Sequence, residues 1–170
     1  MLLSTVILLP VVFAVFIAFW PQQRTLRHLA LGFSIIEFLI SLMILNEFDP
    51  GSARLQLVEK FTWIERFGIQ YFIGIDGISL WLVLLTTVIT PIIILASWTS
   101  IDNKIKGFHS CLFLLQTAMI GTFLSMDAIL FYMFWELSLI PMYFIVGIWG
   151  GLVVFMQRSS FSYLLWPVRF

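Results

Sequence analysis

The sequence predicts an all-α polytopic membrane protein with about five transmembrane helices and a small loop or hairpin on the outer face. Three observations carry that expectation. The chain is 61% hydrophobic and 11% charged, with a mean hydropathy of +1.06, whereas a soluble domain carries roughly 25% charged residues. Polar breaks cut it into five apolar windows, each near the ~20 residues that a bilayer needs. Trp20, Trp98 and Trp149 close three of those windows, where an amphipathic ring prefers the headgroup level.

The first window, Leu2–Trp20, has no basic region ahead of it and no clear small-residue cleavage site behind it, so it reads as a retained helix. Pro10 lies inside it and removes a backbone donor, which a membrane bundle tolerates as a kink. The second window, Leu29–Leu45, carries Glu37 within helical reach of Ser34 and Ser41. An interior-facing Glu37 is expected to hydrogen-bond to one of these serines.

The loop Asn46–Gly77 is long. Asp49-Pro-Gly51 is turn chemistry. Phe61-Thr-Trp-Ile64 and Phe67-Gly-Ile-Gln-Tyr-Phe-Ile73 are rich in β-branched and aromatic residues, which fits a hairpin lying on the membrane surface. An irregular aromatic loop fits the same residues. The third window is Ile78–Trp98, with Pro91 inside it, and the fourth is Phe108–Phe123. Cys111, the single cysteine, reads as a small packing residue. The fifth window is Ala128–Trp149, and Glu136 lies within it.

Basic residues orient the bundle. Arg24 and Arg27 follow the first window, Lys104 and Lys106 the third and Arg158 the fifth, while the turn Ser125–Asp127 has none. Positive-inside counting therefore puts the N-terminus and Asn46–Gly77 outside, and the end of the fifth window in the cytoplasm.

The formal net charge is zero and no long basic cluster occurs, so nothing points to nucleic acid. No glycine-rich phosphate loop, nucleophile with a base, haem or iron–sulfur spacing is present. His28 and His109 lie near window ends, read as interfacial, and are too sparse for a metal site. Nothing in this chain can oxidise a substrate. What remains is Glu136. A lone charged carboxylate at that depth costs roughly 2.5–3.5 kcal/mol even on insertion scales. No lysine or arginine lies within any window to offset it. It is either a proton-handling acid or a protonated or hydrogen-bonded group that only helps helices pack.

The run Phe134-Trp-Glu136-Leu-Ser-Leu-Ile-Pro141-Met-Tyr-Phe-Ile-Val-Gly-Ile-Trp149-Gly resembles the Phe-Trp-Glu-x-x-Leu-x-Pro-Met-Tyr segment of subunit M of the bacterial NADH:quinone oxidoreductase, called subunit 4 in mitochondria. Phe67-Gly-Ile69, Ile75-Asp-Gly-Ile-Ser-Leu80 and Ser125-Met-Asp127 extend the likeness over most of Met1–Gly150. The resemblance implies the N-terminal transmembrane region (residues 1–150) of an all-helical, antiporter-like membrane-arm subunit. It implies proton translocation driven by quinone reduction elsewhere, and other membrane-arm subunits as partners within the lipid bilayer. It also implies that NADH, flavin, iron–sulfur clusters and quinone are handled by other subunits, with no cofactor or metal bound by this chain. By the same resemblance Glu136 is the proton-path acid, paired in the family with a lysine on a later helix. Glu37 matches no motif of the family. The implied location is the bacterial inner (plasma) membrane, ahead of the mitochondrial inner membrane.

The family's subunit has roughly fourteen spans, so this chain is expected to be a fragment that is not competent alone. Ser34, Ser41, Thr86, Thr87 and Thr117 are then expected on surfaces that later helices would cover. Leu152–Phe170 (within a tail, residues 151–170) does not resemble the family's continuation, a basic loop and a Lys-Phe-Phe helix. Read one nucleotide back, its codons admit such a string, so the tail fits an out-of-frame reading with no sixth span. Two other functions fit the residues: a subunit of a related multisubunit cation/proton antiporter, and a non-transporting membrane assembly or anchoring protein.

Overall fold

A computed structural model describes residues 1–52, 54–64 and 69–150. Phe67-Gly68 and the tail Leu152–Phe170 lie outside the described residues. Within them the chain is α1 (Leu2–Phe19), α2 (Gln23–Glu47), a hairpin of β1 (Gln56–Ile64) and β2 (Ile69–Ile75), then α3 (Gly77–Ala96), α4 (Ile105–Leu124) and α5 (Ala128–Trp149). Among the described residues five helices are long and apolar enough to cross a membrane. The all-α polytopic expectation holds, and the long loop is a hairpin.

Several boundaries differ from the sequence reading. The α2 and α4 helices start earlier than expected, so that α2 takes in Arg27 and His28 and α4 takes in Lys106. A polar first turn looks like loop in a hydropathy window, yet the backbone bonds do not end where the apolar run does. The α5 bounds match, because Asp127 marks the start: its Oδ1 accepts from Ile129 N at 2.9 Å and Leu130 N at 3.1 Å. Asp76 caps α3 in the same way, through Ile78 N at 3.1 Å and Ser79 N at 2.7 Å. These bonds pull the Asp76 carboxyl below its usual range, the Ser79 amide first among them. Pro10, Pro91 and Pro141 all sit inside helices.

The central helix is α4, which packs against α1, α3, α5 and α2. Of its apolar window 56% is buried, against 11% for α5, so α5 is the peripheral helix. Two apolar clusters fill the ends of the bundle. One joins Leu3, Val6, Ile7 and Ile44 to Leu80, Val83, Ile120 and Leu124. The other joins Phe13, Ala14 and Leu26 to Ile94, Leu112 and Phe113.

The hairpin is antiparallel, with a register shift between Gln56 and Glu59. Leu57 takes a φ of 51° there. Such a bulge re-aims the side chains beyond it, and Glu59 reaches the start of α1, where its Oε1 accepts from Leu3 N at 3.1 Å. The Ser4 hydroxyl donates to Glu59 Oε2, and the Met1 amino group lies 2.8 Å from Oε1. On its other side β2 meets the α4–α5 turn: Ile73 bridges Ser125, and Met126 N donates to Phe72 O at 2.9 Å. The hairpin therefore sits at one end of the bundle with the start of α1 and the Ser125–Asp127 turn. At the opposite end Arg27 donates to Ile101 O and Asp102 Oδ1, each at 2.8 Å, and Trp149 Nε1 donates to Asn103 O at 2.8 Å. Lys104 and Lys106 belong to that end, where α4 begins.

Candidate functional site

The position of Glu136 follows from how α5 is turned. Gly121 of α4 and Phe134 of α5 are in such close approach that a Cβ added at Gly121 would lie 2.6 Å from Phe134 Cγ. Only a glycine leaves room for that ring. Leu130 and Pro141 are the buried residues on the same helix, and their spacing from Phe134 is that of one helical stripe. Glu136 is two residues past Phe134. At about 100° per residue it points roughly 200° away, onto the exposed side of α5.

That side is a shallow groove lined by Tyr132, Met133, Glu136, Ile140 and Tyr143 among others. The Tyr132 side chain, one turn before, lies beside Glu136 in that groove. Pro141 has no N–H, so it leaves the carbonyl of Leu137, next to Glu136, without its helical donor. The ion pairs among the described residues are Met1 with Glu59 and Arg27 with Asp102, and neither reaches Glu136. Glu136 thus lies midway along a span, with a tyrosine beside it and, among the described residues, no cation at hand. Chemically it can accept or release a proton to whatever covers that face.

Glu37 is placed differently. It is fully buried, and neither carboxyl oxygen has a hydrogen-bond partner among the described residues. The expected bonds to the serines are not made. Ser34 donates to Leu31 O at 2.8 Å and Ser41 to Phe38 O at 2.7 Å, each to its own helix. A serine so engaged has spent its one donor. The two acids share no surface, since Glu136 faces out from α5 and Glu37 faces into α1–α4.

A second expectation is overturned by burial. Ser34, Ser41 and Thr87 are fully buried, Thr117 is 3% exposed and Thr86 7%. All five are already shielded inside the bundle, and Ser41 meets Thr87 there, with Oγ and Oγ1 2.8 Å apart. Small polar groups help helices associate wherever two faces meet, and here they meet within this chain. His109 is also buried rather than interfacial, with Nδ1 2.9 Å from Ile105 O, while His28 stays exposed and lies edge-on to Trp98.

Three residues escaped the sequence reading. Tyr132 had a legible signal, one turn before Glu136. Gln116 is the one carboxamide in the fourth apolar window. Glu59 could not be told from the other acids of its loop until the hairpin bulge was known.

The chain is similar to known proteins over nearly all of its length. A model of the family described as NADH-ubiquinone oxidoreductase chain 4, amino terminus, matches residues 3–127. The NADH-ubiquinone oxidoreductase chain 4 of Mycosarcoma maydis is 41% identical over 157 residues, which covers 88% of this chain and 32% of that protein. The NADH-quinone oxidoreductase subunit M of Rhodobacter capsulatus is 38% identical over 156 residues, covering 88% and 30% respectively. A chain of the respiratory complex I from Thermus thermophilus with bound NADH has the same fold, with a TM-score of 0.75 at 24% identity. That match covers 97% of this chain and 32% of the other. The present chain thus spans about a third of the length of the relatives it matches.

Proposed function

The chain belongs to the NADH-ubiquinone oxidoreductase chain 4 family, and from that premise we propose that it serves in the membrane arm of a proton-translocating NADH:quinone oxidoreductase, with Glu136 on the proton path. Its partners are the other membrane-arm subunits, and the redox groups and quinone belong to those around it. The membrane is the bacterial inner membrane, with the hairpin end outside.

The observation that carries the proposal is the exposure of Glu136 on the uncovered side of α5, opposite the Phe134–Gly121 contact. An intramembrane acid that only helped helices pack would be turned toward α4. Instead it is presented to a surface that further helices of a longer subunit would cover, one of them bearing the cation. The mechanism is electrostatic. A positive charge brought to the groove stabilises the carboxylate, and its withdrawal lets the acid take up a proton. The Tyr132 side chain stands beside the carboxyl, and the Leu137 carbonyl offers a nearby acceptor.

The test is Glu136→Gln in the assembled complex, which keeps shape and hydrogen bonding but removes the titratable proton. Quinone-linked proton pumping in sealed vesicles should fall sharply while the complex still assembles. Near-normal pumping would reject the proton-path role and leave the packing role standing.

A further inference from the structure

The buried face of α2 runs through Leu26, Ala30, Ser34, Glu37, Ser41 and Ile44, each fully shielded. Glu37 sits in the middle of it with both carboxyl oxygens unpartnered among the described residues. Buried polar atoms are nearly always hydrogen-bonded, so this acid calls for a partner.

Two neighbouring helices bring unmet groups to the same depth. The contact of Ser41 with Thr87 sets the level of α2 against the antiparallel α3. One turn away, about 6 Å at ~1.5 Å per residue, Glu37 stands level with Thr90 and Pro91. Pro91 supplies no N–H, so the Thr87 carbonyl has no helical donor. On α4, Ile120 and Leu124 pack with Leu80 and Leu84, and Leu112 and Phe113 pack with Ile94. Gln116 falls between those two levels, near the depth of Thr87 and Thr90. It is 2% exposed, and neither its Oε1 nor its Nε2 has a partner among the described residues.

A carboxyl, a carboxamide and a freed carbonyl thus share one depth without bonding to one another. A buried water typically makes about three hydrogen bonds to groups of this kind. We propose that Glu37, Gln116 and the Thr87 carbonyl bind a small internal water cluster, which makes Glu37 a second proton-exchanging acid inside the α1–α4 bundle. The ligand is water. The acid O–H donates a proton to the adjoining water and regains one from it, leaving no net charge in the bundle. The Gln116 carboxamide can serve as donor and acceptor at once, so it suits either direction of exchange. His109, toward the Arg27 end of α4, is the buried titratable group on that helix, and its Nε2 likewise has no partner among the described residues. The buried faces of α1 and α3 add no titratable group among the described residues. The site is separate from Glu136 and does not rest on the role proposed for it.

Electron cryo-microscopy of the assembled complex, at a resolution that shows ordered water, tests the site without any substitution. Density within hydrogen-bond distance of both the Glu37 carboxyl and the Gln116 carboxamide is the expected result. A direct carboxyl–carboxamide bond, or no density between them, overturns it. Proton exchange is read separately by infrared difference spectroscopy of the complex against its Glu37→Gln variant. The acid carbonyl band lost in that variant should shift promptly when the parent complex is moved into D2O, and more slowly in Gln116→Leu. A Glu37 band that stays unshifted for hours, or the absence of any acid band assignable to Glu37, overturns the proton-exchange role.

Discussion

Glu59 caps a helix to which it does not belong: its Oε1 accepts the Leu3 amide of α1 at 3.1 Å, from a strand more than fifty residues away. A helix N-terminus favours a negative charge, and the Ser4 hydroxyl holds the other carboxyl oxygen. Burial pushes the Glu59 carboxyl up, but the chain's amino group and Ser4 outweigh it and hold the group below its ordinary value of 4.5. A depressed carboxyl stabilises the fold above that ordinary value and loses the contribution as pH falls through the lower, folded one. Protection factors of the hairpin amides, taken relative to the intrinsic exchange rate at each pH, should therefore be high at pH 7 and fall below about pH 4.5. Glu59→Gln should flatten that dependence, and Glu59→Ala should cost about 1 kcal/mol, as loss of a helix cap does. An unchanged pH profile in the Gln variant would show that the cap carries no stability.

Gly121→Ala should be destabilising by about 1–3 kcal/mol, the usual range for overpacking, because the new Cβ meets the Phe134 ring. Shortening the ring partner in Gly121→Ala/Phe134→Leu should recover part of the loss. Thermal unfolding of the complex or of the purified chain in detergent reads both. Strictly additive losses would mean that the two residues do not touch.

Single cysteines at Ser52 and Asn103, in a Cys111→Ser background, should react with an impermeant thiol reagent from opposite faces of the membrane. Ser52 shares an end with the hairpin, whereas Asn103 shares one with Arg27, through the Arg27–Asp102 pair. Labelling of both from one face would sink the arrangement of spans.

Glu136→Asp should lower proton pumping less than Glu136→Gln does, since the acid survives one methylene back. Tyr132→Phe should also be milder than Gln, because it removes a neighbouring hydroxyl and leaves the proton. Pumping rates in sealed vesicles rank the three. A Tyr132→Phe loss equal to that of Glu136→Gln would make the hydroxyl itself part of the path.

The five spans were legible because length and hydropathy suffice for them, and the α5 bounds came out right because the apolar window ends where the Asp127 cap stands. The hairpin was one of two readings that the β-branched and aromatic residues left open, and β1 begins earlier than the aromatic run, at Gln56. What escaped was the direction in which faces point. The residues Ser34, Ser41 and Thr87 look the same in sequence whether they await an outside helix or meet each other. Only the pairing of α2 with α3 decides between these. The outward turn of Glu136 was likewise hidden, because it depends on a ring in α5 finding a glycine in α4. Both are long-range facts that no local pattern encodes.

The bond from Met126 N to Phe72 O has a consequence for how the molecule is made. During synthesis both strands leave the ribosome before the residues of the α4–α5 turn. An outer strand edge with unmet N–H and C=O groups waits for a partner, and the first segment of its own chain to satisfy it is Ser125–Met126. The hairpin is then a template laid down early, on which the entry point of α5 is seated as it arrives. A nascent chain with β2 disrupted should release α5 from its place beside α4, leaving the helix inserted in the bilayer but unaligned.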